Sequence, residues 1–168
     1  MTYFQIKELV PQNSEADLSN ILPAFLSIWN HPENHKFLSY TLQPFQKEMA
    51  GSWFKNHLDM GVRYFVAVSD DGGEILGMST IKKDFIEGFE IIGLGVRPKA
   101  KQKGIGSSLI AHAITLAGEL GFKAVDSGLV ADNFKMMRLL TQFEFMPVKI
   151  NHNARADGVD LVYMRKYL

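Results

Sequence analysis

The stretch from Leu94 to Gly121, LGVRPKAKQKGIGSSLIAHAITLAGELG, constrains this chain more than any other. It reads as the end of a strand, a short basic loop, two glycines two apart, and a helix of roughly four turns. Leu109, Ala113, Leu116 and Leu120 form an apolar stripe with Ile110, Ile114 and Ala117 beside it, and Gly121 supplies a C-terminal stop. The first amides of a helix lack intrahelical partners and lie at the positive end of its dipole. Gly104 and Gly106 have no Cβ, so a ligand can lie directly against the backbone there. Lys99, Lys101 and Lys103 add cationic charge, and Ser107 and Ser108 add hydroxyls. The spacing predicts a cradle for a phosphate or pyrophosphate.

Two phosphate loops are excluded. No Gly, four residues, Gly-Lys-Ser/Thr run exists, and a dinucleotide fingerprint needs a third glycine where this chain has Leu109. What the stretch does contain is Val96-x-Pro98-x-x-Lys101-x-x-Gly104-x-Gly106. This constellation resembles the signature segment of the GNAT superfamily of acyl-CoA N-acyltransferases, which usually carries Arg or Gln at the position of Lys101. The resemblance implies that Lys101, Gln102, Lys103, Gly104, Ile105, Gly106 and Ser107 hold the pyrophosphate of coenzyme A. It also implies that Leu94, Gly95 and Val96 offer backbone groups to the pantetheine arm, as an added strand would at an open edge.

The length of 168 residues suits one domain, residues 1–168, with a full core. The 18 basic and 18 acidic residues cancel, so no overall field favours nucleic acid. Without cysteine there is no disulfide, thiolate metal site or cysteine nucleophile. The opening MTYFQIKELV lacks a signal-peptide core and no apolar run approaches a membrane span, so a cytoplasmic protein without membrane partners is expected.

Alternation predicts a strand over Thr2 to Leu9, ended by Pro11. Asp17 precedes a helical stripe of Leu18, Ile21, Leu22, Phe25, Leu26 and Trp29, with Pro23 tolerated in the first two turns. NHPENHKFLSYTLQP reads as a connection, followed by a helix from near Phe45 through Leu58. Tyr64 to Val68 and Ile75 to Ile81 flank the hairpin turn Asp70-Asp71-Gly72-Gly73, and Phe85 to Val96 is the next strand. After the central helix come a strand over Ala124 to Val130, a helix over Asn133 to Phe143, and strands over Phe145 to Ile150 and Val159 to Tyr167. Periodicity gives an α/β domain. The resemblance implies a GNAT-type mixed, mainly antiparallel sheet, splayed after strand 4 so that CoA inserts into the gap.

Acyl transfer to an amine needs a base for the nucleophile and benefits from an acid for the departing thiolate. Glu90 lies among apolar residues in FEIIGLGV, a setting that disfavours a charged carboxylate. It stands six before Val96, as does the strand-four glutamate in the branches of the family that use one, which makes it the candidate base. The alternative is an edge-facing glutamate on an alternating strand. In the family, a short helix begins with Asn and carries a small apolar residue three on, a tyrosine seven on, and a final Gly-Phe. Asn133, Met136 and Phe145 match, whereas Leu140 replaces the tyrosine that usually protonates the CoA thiolate and Glu144 replaces the glycine. Ser127, Thr141 and Tyr163 are stand-ins for the acid. Asn133 reads equally as a contact for the pantetheine arm and as a helix N-cap.

The acceptor side falls to the least patterned segments, Trp29 to Tyr40 and Asn151 to Asp160. His31 and His35 have the spacing of two ligands on one helix face, but Pro32 intervenes and no third ligand follows, so no metal is expected. The expected function is acetyl transfer from acetyl-CoA to a primary amine of unknown identity, by direct attack in a ternary complex. Two other readings stand beside it: a CoA or acyl-CoA sensor without turnover, and a binding module for another phosphorylated ligand. Many members dimerise through late strands, so the resemblance leaves a homodimer open.

Overall fold

The computed structural model describes residues 3–9, 15–84, 86 and 88–168, with residues 15–20 described in backbone only. The chain runs β1 (Phe4–Leu9), α1 (Glu15–Trp29), α2 (Pro32–Leu38), α3 (Lys47–Asp59), β2 (Arg63–Ser69), β3 (Ile75–Asp84) and β4 (Gly88–Val96). A 3-10 turn (Pro98–Ala100) leads into α4 (Ile105–Glu119), β5 (Ala124–Val130), α5 (Phe134–Gln142), β6 (Met146–Asn151) and β7 (Leu161–Tyr167). The expected strand ends at Thr2 and Phe85, and the stop at Pro11, lie outside the described residues. No described helix is long and apolar enough to cross a membrane.

The seven strands form one sheet in the order β1-β2-β3-β4-β5-β7-β6. Every neighbouring pair is antiparallel except β4 and β5. The two-residue period of a strand divides the core between two faces. On β2, Phe65 and Ala67 join α4 (Leu109, Ile110, Ala113, Ala117) and Leu140 of α5. Tyr64 and Val66 instead join Phe25, Ile28 and Trp29 of α1 and Phe54 of α3.

Two features of β4 place the site. Thr80 pairs with Gly93 but Ile81 with Ile91, which leaves Ile92 as the extra residue of a bulge that bends the strand. The parallel pairing with β5 is confined to Glu90 with Asp126 and Ile91 with Ser127. At that last rung Ser127 Oγ donates to the Ile91 carbonyl at 3.3 Å. Beyond it β4 and β5 part, and the sheet opens.

Two local readings are corrected. The segment read as a connection contains α2, whose seven residues are too few to show a helical period. Pro32 occupies its first turn, and His31 Nδ1 caps it by accepting from the Glu33 amide at 3.2 Å. Helix α1 starts at Glu15, so Pro23 lies past its second turn, on the exposed side of the helix.

The α1–α3 face holds one buried titration. His57 Nδ1 lies 3.0 Å from the Tyr64 hydroxyl, and its ring packs 3.8 Å from that of Trp53. Burial pushes the Tyr64 phenol well up, so it stays protonated in this contact; burial also pushes the imidazole below its ordinary 6.5. A depressed histidine gives stability that is present above the unfolded value and lost as pH falls below it. The urea midpoint should therefore decline between about pH 7 and 5, and His57→Gln should flatten that decline. An unchanged slope in the variant would remove His57 as its cause.

Candidate active site

The opening between β4 and β5 is a groove of about 960 Å³. One wall is α2 with Leu94, Gly95 and Val96 of β4, the other is Asp132, Asn133 and the exposed side of α5, and the start of α4 closes one end. Asn34 anchors the first wall. It is 6% exposed, and its Nδ2 donates to the Ile28 and Val96 carbonyls at 2.9 and 3.0 Å. Gly95 is required by the same packing, because a Cβ there would lie 2.6 Å from Ile28 Cγ2 and 3.0 Å from Trp29 Cζ3.

The glycine loop turns through two left-handed residues, Gln102 (φ 62°) and Gly104 (φ 82°). Gly104 is the N-cap of α4 and provides no side-chain cap, so the first amides of Ile105, Gly106 and Ser107 open on the groove these residues line. A Cβ at Gly104 would meet nothing within 4 Å, and one at Gly106 would touch Leu139 Cδ2 at 3.4 Å. The space an anion needs against these amides is therefore present.

Of the residues expected to bind cofactor, Leu94, Gly95, Val96, Lys101, Gln102, Gly104, Ile105, Gly106, Ser107 and Asn133 all line this groove. Lys103 does not line it; its Nζ lies 5.3 Å from the centroid of the Tyr3 ring. Lys99 pairs with Glu74 at 2.9 Å, and Lys101 pairs across the groove with Glu33 at 3.2 Å. The groove draws further cations from elements that sequence spacing did not connect with it: Lys36 on α2, and Lys135 and Arg138 on α5. Asn133 caps α5, its Oδ1 accepting from the Met136 amide at 3.2 Å.

Glu90 does not line the groove; it stands half-buried on the β4–β5 rung with Asp126, one before the pairing ends, and its Oε1 is 3.8 Å from where a Cβ on Gly128 would stand. The Tyr163 ring reaches the same point at 3.3 Å. Burial, then the Glu90 carboxylate, raises the Tyr163 phenol above its ordinary range. Burial, then Tyr163 and Glu90, does the same to Tyr40. Beside them, Arg165 grips Asp126 with two bonds of 2.7 Å, and Lys149 Nζ stands 5.3 Å from the Tyr163 ring centroid. Leu140 is fully buried in the core. Ser127 is spent on Ile91, and Thr141 donates to the Met137 carbonyl at 2.9 Å. Among the three stand-ins only Tyr163 shares the surroundings of Glu90. No group of three or more metal-ligating side chains occurs among the described residues.

Residues 22–145 match the model of the Acetyltransferase (GNAT) family. The chain belongs to that family. No curated protein matches it in a sequence search. Among solved structures it is similar to an N-acetyltransferase from Staphylococcus aureus, at 22% identity and TM-score 0.75 over 98% of both chains. It is also similar to a ribosomal-protein-alanine N-acetyltransferase from Brucella melitensis, at 21% identity and TM-score 0.73 over 98% of this chain and 99% of that one. A third is a phosphinothricin acetyltransferase of the GNAT superfamily from Sinorhizobium meliloti in complex with acetyl-CoA. There the identity is 19% and the TM-score 0.75, over 100% of this chain and 89% of that one. These likenesses establish the fold.

The Gly95 contacts yield a stability test. Gly95→Ala should destabilise the protein by about 1–3 kcal/mol in urea unfolding, because Ile28 and Trp29 must move off β4. A neutral substitution would show that this wall is loosely packed.

Proposed function

We propose that the groove binds acetyl-CoA and that the chain transfers its acetyl group to a primary amine of a small molecule, peptide or protein. The observation that carries this reading is the side-chain-uncapped start of α4 opening into a gap between two parallel strands, with Lys36, Lys101, Lys135 and Arg138 around it. The amides of Ile105 to Ser107 suit a pyrophosphate, and the edge of β4 left by β5 suits the amides of a pantetheine arm. Family membership and the S. meliloti neighbour, solved with acetyl-CoA, support the cosubstrate.

The amine approaches from the side of Glu90, Tyr40 and Tyr163. Its nitrogen attacks the thioester carbonyl carbon, a C–N bond forms and the C–S bond breaks. Glu90 accepts the amine proton, and the Tyr163 hydroxyl, held protonated by its raised affinity, donates to the sulfur. The proton on Glu90 then restores Tyr163, so the products are the amide and free CoA. A buried Leu140 has no proton to give, which leaves this role to the opposite face.

Gly106→Val would push a branched side chain into the cradle. It should weaken acetyl-CoA binding, measured by calorimetry, by about tenfold or more, equivalent to about 1.4 kcal/mol. Unchanged affinity would remove the loop from the cofactor site. Glu90→Gln should leave that affinity intact and lower kcat by roughly 100-fold in a thiol-release assay on an amine panel. Full activity in that variant would place the base elsewhere. Tight binding with no release on any amine would favour the sensor reading, which the loss of the helix tyrosine at Leu140 motivates.

A further inference from the structure

Arg155 sits in the middle of the polar β6–β7 loop, where its sequence context, NHNARADG, suggests a solvated turn, yet it is 5% exposed. A guanidinium has five N–H donors, and all five are engaged. Nε donates to Asp157 Oδ1 at 2.8 Å, and Nη2 donates to Asp157 Oδ2 at 3.0 Å and to Asp132 Oδ2 at 2.9 Å. Nη1 donates to Asp132 Oδ1 at 3.1 Å and to the Lys36 carbonyl at 2.8 Å. One residue on, the Ala156 amide donates to the Tyr40 carbonyl at 2.8 Å.

The partners lie on opposite sides of the opened sheet. Lys36 and Tyr40 belong to α2 and the residues just after it, which pack on the β4 side, whereas Asp132 follows β5 and precedes Asn133. Lys36 and Asp132 line opposite walls of the groove. The backbone pairing that would hold β4 to β5 at this end is absent, since it stops at Ile91 and Ser127. We infer that Arg155 is a positioning residue for acetyl transfer: it straps the two arms of the splayed sheet together and, with the Ala156–Tyr40 bond, fixes the segment that carries Tyr40. This role rests on the transferase reading above. A buried cation with five satisfied donors fixes distance and angle more tightly than apolar packing of a loop, because each bond that loosens leaves a buried N–H without its acceptor.

The test compares wild type, Arg155→Met and Asp157→Ala for acetyl-CoA affinity by calorimetry and for kcat and acceptor KM by thiol release, with and without added guanidinium at non-denaturing concentration. Asp157→Ala removes two of the five bonds and keeps the bridge from Lys36 to Asp132, so it serves where Arg155→Met fails to fold. The expected result is a kcat loss of about 100-fold for Arg155→Met and about tenfold for Asp157→Ala. Acetyl-CoA affinity should fall by less than kcat does, and guanidinium should restore part of the Arg155→Met rate. Kinetics within about twofold of wild type in both variants would overturn the proposal. So would a loss that only tracks the folded fraction and does not respond to guanidinium. A wild-type protein that releases no thiol on any amine fails the transferase reading itself, and the strap's role falls with it.

Discussion

The structure depends on a strand pair that is begun and not finished. β4 and β5 run parallel and share only two rungs before they part, at the point where the Ile92 bulge bends β4. A buried strand edge carries unpaired amides and carbonyls that must find partners. The chain meets part of that demand itself, since Asn34 donates to the Val96 carbonyl from α2. The remaining edge faces the groove without a strand beside it, which is the setting the proposed acetyl-CoA site uses.

The same opening explains how charge is distributed around it. The α4 N-terminus has no side-chain cap from Gly104, and the cations that approach it come from α2, the glycine loop and α5. Glu90 stands where β4 still meets β5, with the Tyr163 ring beside it, and the uncapped start of α4 lies at the far end of the gap. A sheet split this way keeps its arms registered only if something crosses the split. Ser127 does so at the last rung and Arg155 at the mouth.

Much of this was legible in the sequence, for local reasons. The glycine spacing before an amphipathic helix, the Asp-Asp-Gly-Gly turn and the alternation of β2 each state their geometry within a few residues, and α4, β2 and β5 fall where they were expected. What was not legible is set by partners far away in the chain. Lys103 belongs to the motif by position, yet it turns to Tyr3, a neighbour 100 residues away whose hydroxyl donates to its carbonyl at 3.4 Å. Helix α2 is too short to declare a period, and its buried Asn34 looks like any loop asparagine until Val96 is placed beside it. Arg155 lies in a segment without a pattern of its own, and its acceptors at Lys36 and Asp132 lie 119 and 23 residues away. Tyr163, one of three stand-ins offered by the sequence, is set apart from Ser127 and Thr141 only once β7 pairs with β5 and lays its ring against Gly128 beside Glu90.

Whether the gap between β4 and β5 receives acetyl-CoA along its strand edge and at the start of α4 can be read from amide hydrogen exchange with and without acetyl-CoA. Bound acetyl-CoA should slow exchange at Leu94 to Val96, at Lys101 to Ser108 and at the start of α5. Unchanged exchange at these amides under saturating acetyl-CoA, or slowing confined to another surface, would contradict it.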